Sequence, residues 1–110
     1  MMPHHERQGL DKWLGADVVS QDNQALGKVE RYLMDRLTEV PTWIVLDAGL
    51  LGLTHRIVPV GGAAFEDGRI VVAAQQRIVE SQPDAHIDGD VLEPEAETAL
   101  SEHYGLGAKD

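Results

Sequence analysis

Residues 41–60, PTWIVLDAGLLGLTHRIVPV, constrain the fold more than any other stretch of the chain. Two short apolar runs rich in Val and Ile, 43–46 and 57–60, flank a segment that contains two glycines. Short β-branched runs bounded by Pro and Gly are typical of strands joined by a tight connection. We therefore predict two paired strands here. The second should lie at a sheet edge or end near Pro59, because proline has no ladder N–H.

Composition limits the classes of protein that this chain can belong to. The 110 residues include 9 basic and 19 acidic side chains, a formal net charge of −10, and no cysteine. This length suits a single domain, and the lack of cysteine excludes disulfides, thiolate zinc sites and cysteine nucleophiles. The negative charge disfavours direct binding to nucleic acid and to anionic membranes.

The N-terminal residues lack the apolar core of a signal peptide. No apolar run approaches the roughly 18 residues that a membrane span requires. We therefore expect a soluble, cytoplasmic protein without membrane insertion.

Further strands are expected on both sides of the central pair. Residues 16–20, 63–66 and 69–74 have short extended patterns, and Asp67-Gly68 is a strong hairpin-turn signal. Residues 75–81 could form one helical turn.

Residues 26–37 are compatible with two structures. A helical stripe fits Leu26, Val29, Leu33 and Leu37, whereas an alternating pattern over the same segment fits a strand. Gly27 would cost a helix about 1 kcal/mol relative to Ala, and a turn-forming segment precedes it directly. We therefore predict a strand.

The C-terminal part of the chain contains a helix signal. Over residues 93–105, Pro94 suits the first helical position and Gly105 suits the helix end. A helix of this length is marginal alone in water, so it should dock on the sheet or on another chain. The predicted docking or dimer surface consists of four residues: Trp43, Val45, Leu100 and Tyr104.

The succession GKVERYLMD, WIVLDAGLLG and HRIVPV resembles the PRC-barrel family, and the similarity covers roughly residues 14–83. The closing LSEHYGL is similar to the tail of stand-alone members. The family's small β-barrel occurs in the cytoplasmic part of the photosynthetic reaction-centre H subunit. It also forms the C-terminal half of the ribosome maturation factor RimM. With no RimM-like domain or transmembrane helix before the barrel, we expect the stand-alone group.

The resemblance implies a mainly β fold, a small PRC-type barrel of about six strands with a C-terminal α-helix packed on it. The expected organisation has five parts: a flexible arm (1–9), the barrel (10–83), a linker (84–92), the helix (93–105) and a tail (106–110).

Catalytic motifs are not found in the sequence, and we predict no catalytic residues, no cofactor and no metal site. Asp35, Asp47 and Asp67 could meet in space, but Asp is common at strand ends. His55-Arg56 is the best polar pair, and two interpretations of it stay open. Arg56 either pairs with a surface acid or belongs to a partner-docking patch of exposed apolar and basic residues. That patch would comprise Leu50, Leu51, Leu53, His55 and Arg56.

The functional expectation is a non-enzymatic protein-interaction or regulatory module that forms a homodimer and binds an unidentified protein partner. The similarity to RimM implies an alternative, a ribosome- or RNA-processing-associated factor. A third hypothesis is a protein that binds a small apolar ligand beneath Trp43.

Overall fold

Ten secondary-structure elements follow one another in the computed structural model, which describes residues 12–47 and 55–106. They are β1 (Asp17–Val19), β2 (Ala25–Met34), β3 (Pro41–Asp47), β4 (His55–Pro59), β5 (Ala64–Glu66), β6 (Arg69–Val71), α1 (Gln76–Glu80), β7 (Ile87–Asp88), β8 (Val91–Leu92) and α2 (Pro94–His103).

Six of the strands form one sheet in the order β4-β3-β2-β1-β6-β5, and β7 pairs with β8. All neighbours in the six-stranded sheet are antiparallel except β1 and β6, which are parallel. The predicted mainly β fold with a C-terminal helix is confirmed. The sheet also places β4, with Pro59 as its last residue, at one edge, as the sequence indicated.

The ambiguous segment is a strand, β2, and it organises the sheet. Its first residues pair with β1 and its later residues pair with β3, with a shift of register on each side. Gly27 has a φ of 142°, which side chains rarely adopt, close to the point where β2 passes from one partner to the other. The glycine that argued against a helix therefore lies where this long strand changes partners.

Opposite charges alternate across five neighbouring strands. In register, Glu66 lies opposite Arg69, which lies beside Asp17, and the row continues through Lys28 to Asp47. The Nζ of Lys28 is 2.7 Å from Oδ1 of Asp17. Exposed pairs of this kind contribute little energy individually, but a slip of register would break the alternation. Both basic side chains of this row therefore have acidic neighbours.

Each face of the sheet has its own hydrophobic cluster. The inner cluster contains Val18, Leu26, Val29, Ile44, Leu46, Val58, Ile70, Val72, Ala74 and Val79. The outer cluster contains Leu33, Trp43, Val45, Ile57, Leu92 and Leu100. The last two members of the outer cluster come from β8 and α2, so the C-terminal segment covers the outer face of β2, β3 and β4.

The region expected to be a linker, 84–92, differs from the prediction because it contains the β7–β8 hairpin. The turn at Gly89 joins β7 to β8, and Ile87 lies opposite Leu92, so one apolar cross-strand pair supports strands in a polar-looking segment. The hairpin is fastened to β2 and to the residues after it by three hydrogen bonds. Met34 N–H donates to Asp90 O (2.7 Å), Arg31 Nη1 to Gly89 O (2.8 Å), and Arg36 Nε to Leu92 O (3.3 Å).

The two ends of the sheet are joined by a short connection. Only residues 60–63 lie between β4 and β5, which stand first and last in the strand order. Pro59 and Ala64 are five positions apart, so their Cα atoms are at most about 18 Å apart. The sheet must therefore curl, although β4 and β5 are not hydrogen-bonded to each other.

Candidate functional site

A group of interacting polar side chains lies along the outer edge of β4. Arg56 comes from β4, Glu80 from the end of α1, Gln82 from the residues after α1, and His103 and Tyr104 from the end of α2. We call these five residues the β4-edge cluster. Three segments distant in sequence meet there because α1 and the end of α2 both reach this edge.

Gln82 holds the centre of the cluster by bonding to the backbone of the edge strand. Its Oε1 accepts from Ile57 N–H (2.9 Å), and its Nε2 donates to Ile57 O (3.1 Å). The same Nε2 lies 2.8 Å from Val79 O and 2.8 Å from Tyr104 Oη. The carboxamide therefore occupies both backbone groups through which a neighbouring strand would pair with Ile57.

Tyr104 links the cluster to both hydrophobic clusters. Its hydroxyl donates to Ile57 O (2.7 Å), and its ring lies 6.2 Å from that of Trp43, centroid to centroid. Burial raises the pKa of Tyr104 well above its ordinary value, and the nearby Arg56 charge offsets only part of this effect. The phenol therefore stays neutral at physiological pH, as a hydrogen-bond donor rather than a base or nucleophile.

His103 fastens α2 to α1. Its Nε2 lies 2.7 Å from Ile78 O. Because a carbonyl oxygen only accepts hydrogen bonds, Nε2 carries the proton in this arrangement. The His103 ring also meets the Tyr104 ring edge to face, with 5.3 Å between centroids. These contacts fix the end of the helix against the β4 edge.

Arg56 is partly buried and bonded on two sides. Its Nη1 donates to Leu26 O (3.2 Å), and its Nη2 lies 3.4 Å from Glu80 Oε2. Of the two interpretations left open by the sequence, the structure therefore shows the ion pair with an acidic side chain. The rest of the predicted docking patch is not described in the same detail. Leu50, Leu51 and Leu53 lie outside the described residues, and His55 is described as the first residue of β4.

The four residues predicted to form a docking or dimer surface lie together within one chain. Trp43, Val45 and Leu100 are buried in the outer cluster, and Tyr104 packs against both clusters. Trp43 is only 2% exposed, and among the described residues its indole Nε1 has no hydrogen-bond partner. An unpaired buried donor costs about 1–3 kcal/mol, so apolar packing must outweigh this cost.

The three aspartates considered as a possible site have separate surroundings. Asp35 accepts hydrogen bonds from the N–H groups of Leu37 and Thr38, which lower its pKa below the ordinary value. Asp47 ends β3, and Asp67 has a positive φ of 54° in the β5–β6 turn. Within 12–47 and 55–106, no group of three or more His, Asp or Glu side chains is arranged to hold a metal ion.

Two residues that matter for the surface were missed by sequence reasoning. Gln82 gave no signal, because its role depends on meeting Ile57, which is 25 positions earlier in the chain. Phe65, the single phenylalanine of the chain, lies in β5 and is 53% exposed. A phenylalanine two positions before the Asp67-Gly68 turn signal was the available indication for Phe65.

Comparisons with known proteins add no assignment. Neither a scan against protein-family models nor a search of curated proteins finds a match to this chain. Among the described residues, no helix has the length and apolar character needed to cross a bilayer.

Proposed function

We propose that this chain is a small protein-interaction module built on a PRC-type barrel, and that it associates with itself and with a protein partner. Support for the barrel comes from the short β4–β5 connection, which requires a curled sheet, and from the inner cluster. That cluster takes residues from β1, β2, β3, β4 and β6, as the interior of a small barrel does.

The observation that carries the proposed function is the state of β5. It is the last strand of the sheet, and Ala64, Phe65 and Glu66 are all exposed. An edge strand presents backbone donors and acceptors to any strand that can reach it. The half-exposed Phe65 adds apolar area at the same place, and aromatic side chains are enriched in protein interfaces.

The β4-edge cluster favours an interaction function over a catalytic one. Gln82 and Tyr104 bond to each other and to the backbone, and Arg56 is held by Leu26 O and Glu80. Catalysis requires a reactive group with a suitable pKa and a base within reach. Burial raises the pKa of Tyr104, which disfavours a phenolate base at neutral pH.

Partner capture is assigned to the segment 48–54, AGLLGLT, which connects the paired residues Asp47 and His55. Its three leucines have the composition that protein interfaces use. Leu51→Asp should therefore reduce capture of a partner from a lysate of the source cells at least tenfold without unfolding the domain. Affinity purification with quantitative mass spectrometry, and circular dichroism on the same samples, measure both effects.

Leu37→Asp is the matched control, because Leu37 is 92% exposed at the β2–β3 turn. It should leave capture unchanged. Equal capture by the Leu51→Asp variant and the wild-type chain would contradict the proposed patch. Co-sedimentation of the wild-type chain with ribosomal particles at low salt would favour the ribosome-associated alternative.

A further inference from the structure

We infer that the β5 edge binds the β5 edge of a second copy of this chain, in antiparallel register about a two-fold axis at Phe65. This inference rests on the proposed self-association and names the surface that performs it. The limit to two copies also requires that the backbone of the β4 edge is not available to another strand.

The backbone of β5 presents the groups that such a pairing needs. Asp67 and Gly68, with φ values of 54° and 81°, form a two-residue turn between Glu66 and Arg69, which lie opposite each other. In a hairpin of this kind the flanking pair exchanges hydrogen bonds and the next pair does not. Phe65, opposite Ile70, therefore directs its N–H and C=O away from β6.

In two copies related by a two-fold axis at Phe65, these backbone groups hydrogen-bond to each other. The N–H of Phe65 donates to the C=O of the partner's Phe65, and the reciprocal bond forms by symmetry. The side chains of this pair then lie side by side on the same face of the joined sheets. Cross-strand aromatic pairs contribute roughly 0.2–1 kcal/mol beyond Ala pairs.

Charge favours a second copy as the occupant. In a chain of net charge −10, residues 57–65 form a run of nine positions without an Asp, Glu, Lys, Arg or His. Like-charged copies therefore repel each other least along this run. The two-fold register places Ala64 opposite Glu66 of the partner subunit, so no carboxylate directly faces another, and Glu66 keeps Arg69 as its neighbour in its own chain.

In the proposed pairing, the opposite edge of the sheet limits assembly to two copies. A second open edge would let β4 of one copy pair with β5 of the next, and head-to-tail contacts of this kind produce filaments. Gln82 occupies the N–H and C=O of Ile57, and Pro59, the next outward-facing position, has no N–H. Ile57 and Pro59 therefore disfavour pairing at the β4 edge, whereas the isologous β5 pairing closes on itself.

Sedimentation equilibrium of the intact chain over a wide concentration range tests this pairing. Because three residues bury little area, we expect a weak dimer whose mass rises from 12.0 kDa toward twofold as concentration increases. Phe65→Glu places two carboxylates at the axis and should keep the mass at 12.0 kDa throughout. Leu37→Glu, which introduces the same residue at a leucine that is 92% exposed elsewhere, should behave as the wild-type chain does.

Cross-linking tests the register. Because the chain has no cysteine, Phe65→Cys supplies a single thiol, and a short bismaleimide should join two copies of that variant and not of Leu37→Cys. A dimer that survives Phe65→Glu, or that the Phe65→Cys thiol does not cross-link, overturns the β5 pairing while leaving self-association intact. A wild-type chain that stays monomeric at every concentration overturns both.

Discussion

Replacing Trp43 with alanine should lower the free energy of unfolding by about 3–5 kcal/mol, the range measured for large-to-small changes at buried aromatic positions. Trp43 is 2% exposed, and its side chain packs in the same cluster as Leu92 and Leu100 of the C-terminal segment. Small domains have a total stability of about 5–15 kcal/mol. Urea denaturation monitored by circular dichroism therefore should show a transition shifted far toward low denaturant.

Trp43→Phe separates packing from the unpaired indole. Phenylalanine keeps much of the ring volume and removes the Nε1 donor that has no partner among the described residues. We expect it to cost less than half as much as the alanine change. Leu37→Ala, on a side chain that is 92% exposed, is the control and should change the unfolding free energy by less than about 0.5 kcal/mol. An alanine effect at Trp43 no larger than this control would contradict the covered outer face.

Replacing Gln82 with alanine should cost about 1–3 kcal/mol, because it leaves the N–H of Ile57 without its acceptor. The carbonyl of Ile57 keeps its bond from Tyr104, so the lost free energy comes mainly from the unpaired N–H of Ile57. Thermal or urea unfolding at neutral pH measures the change. Gln21→Ala, at an exposed turn position where only the backbone N–H is bonded, is the matched control and should be near neutral.

The same substitution should also change assembly. With Gln82 removed, the N–H of Ile57 becomes available to β5 of another copy, while Tyr104 still occupies the Ile57 carbonyl. We expect species larger than the twofold mass at high concentration in the Gln82→Ala variant and none in Gln21→Ala. A Gln82→Ala variant that is less stable but still limited to two copies would show that other groups protect this edge.

Local sequence signals predicted most of the strands because each signal acts within a few residues. Gly27 argued against a helix and lies where β2 changes partners, and Asp67-Gly68 forms the turn of the β5–β6 hairpin. Pro94 begins α2, with Glu95 and Glu97 in the first turn, where the helix dipole favours negative charge. In these places the chemistry of one residue was enough to select the structure.

What could not be predicted depends on residues that are distant in sequence. The β7–β8 hairpin has strands of two residues, and it is held by Arg31, Met34 and Arg36, more than fifty positions earlier. The parallel pairing of β1 with β6 and the position of Gln82 on β4 are also long-range contacts. These contacts decide which sheet edge is closed, so the candidate interaction surface could not be located from the sequence.

Amide hydrogen exchange at the two sheet edges is the most direct test of the central claim, that one edge is closed and the other open to a second copy. We expect the Ile57 N–H to be protected at every protein concentration. We expect the Phe65 N–H to exchange rapidly in dilute solution and to become protected as concentration rises. Rapid exchange at Ile57, or protection of Phe65 that does not depend on concentration, would contradict this account.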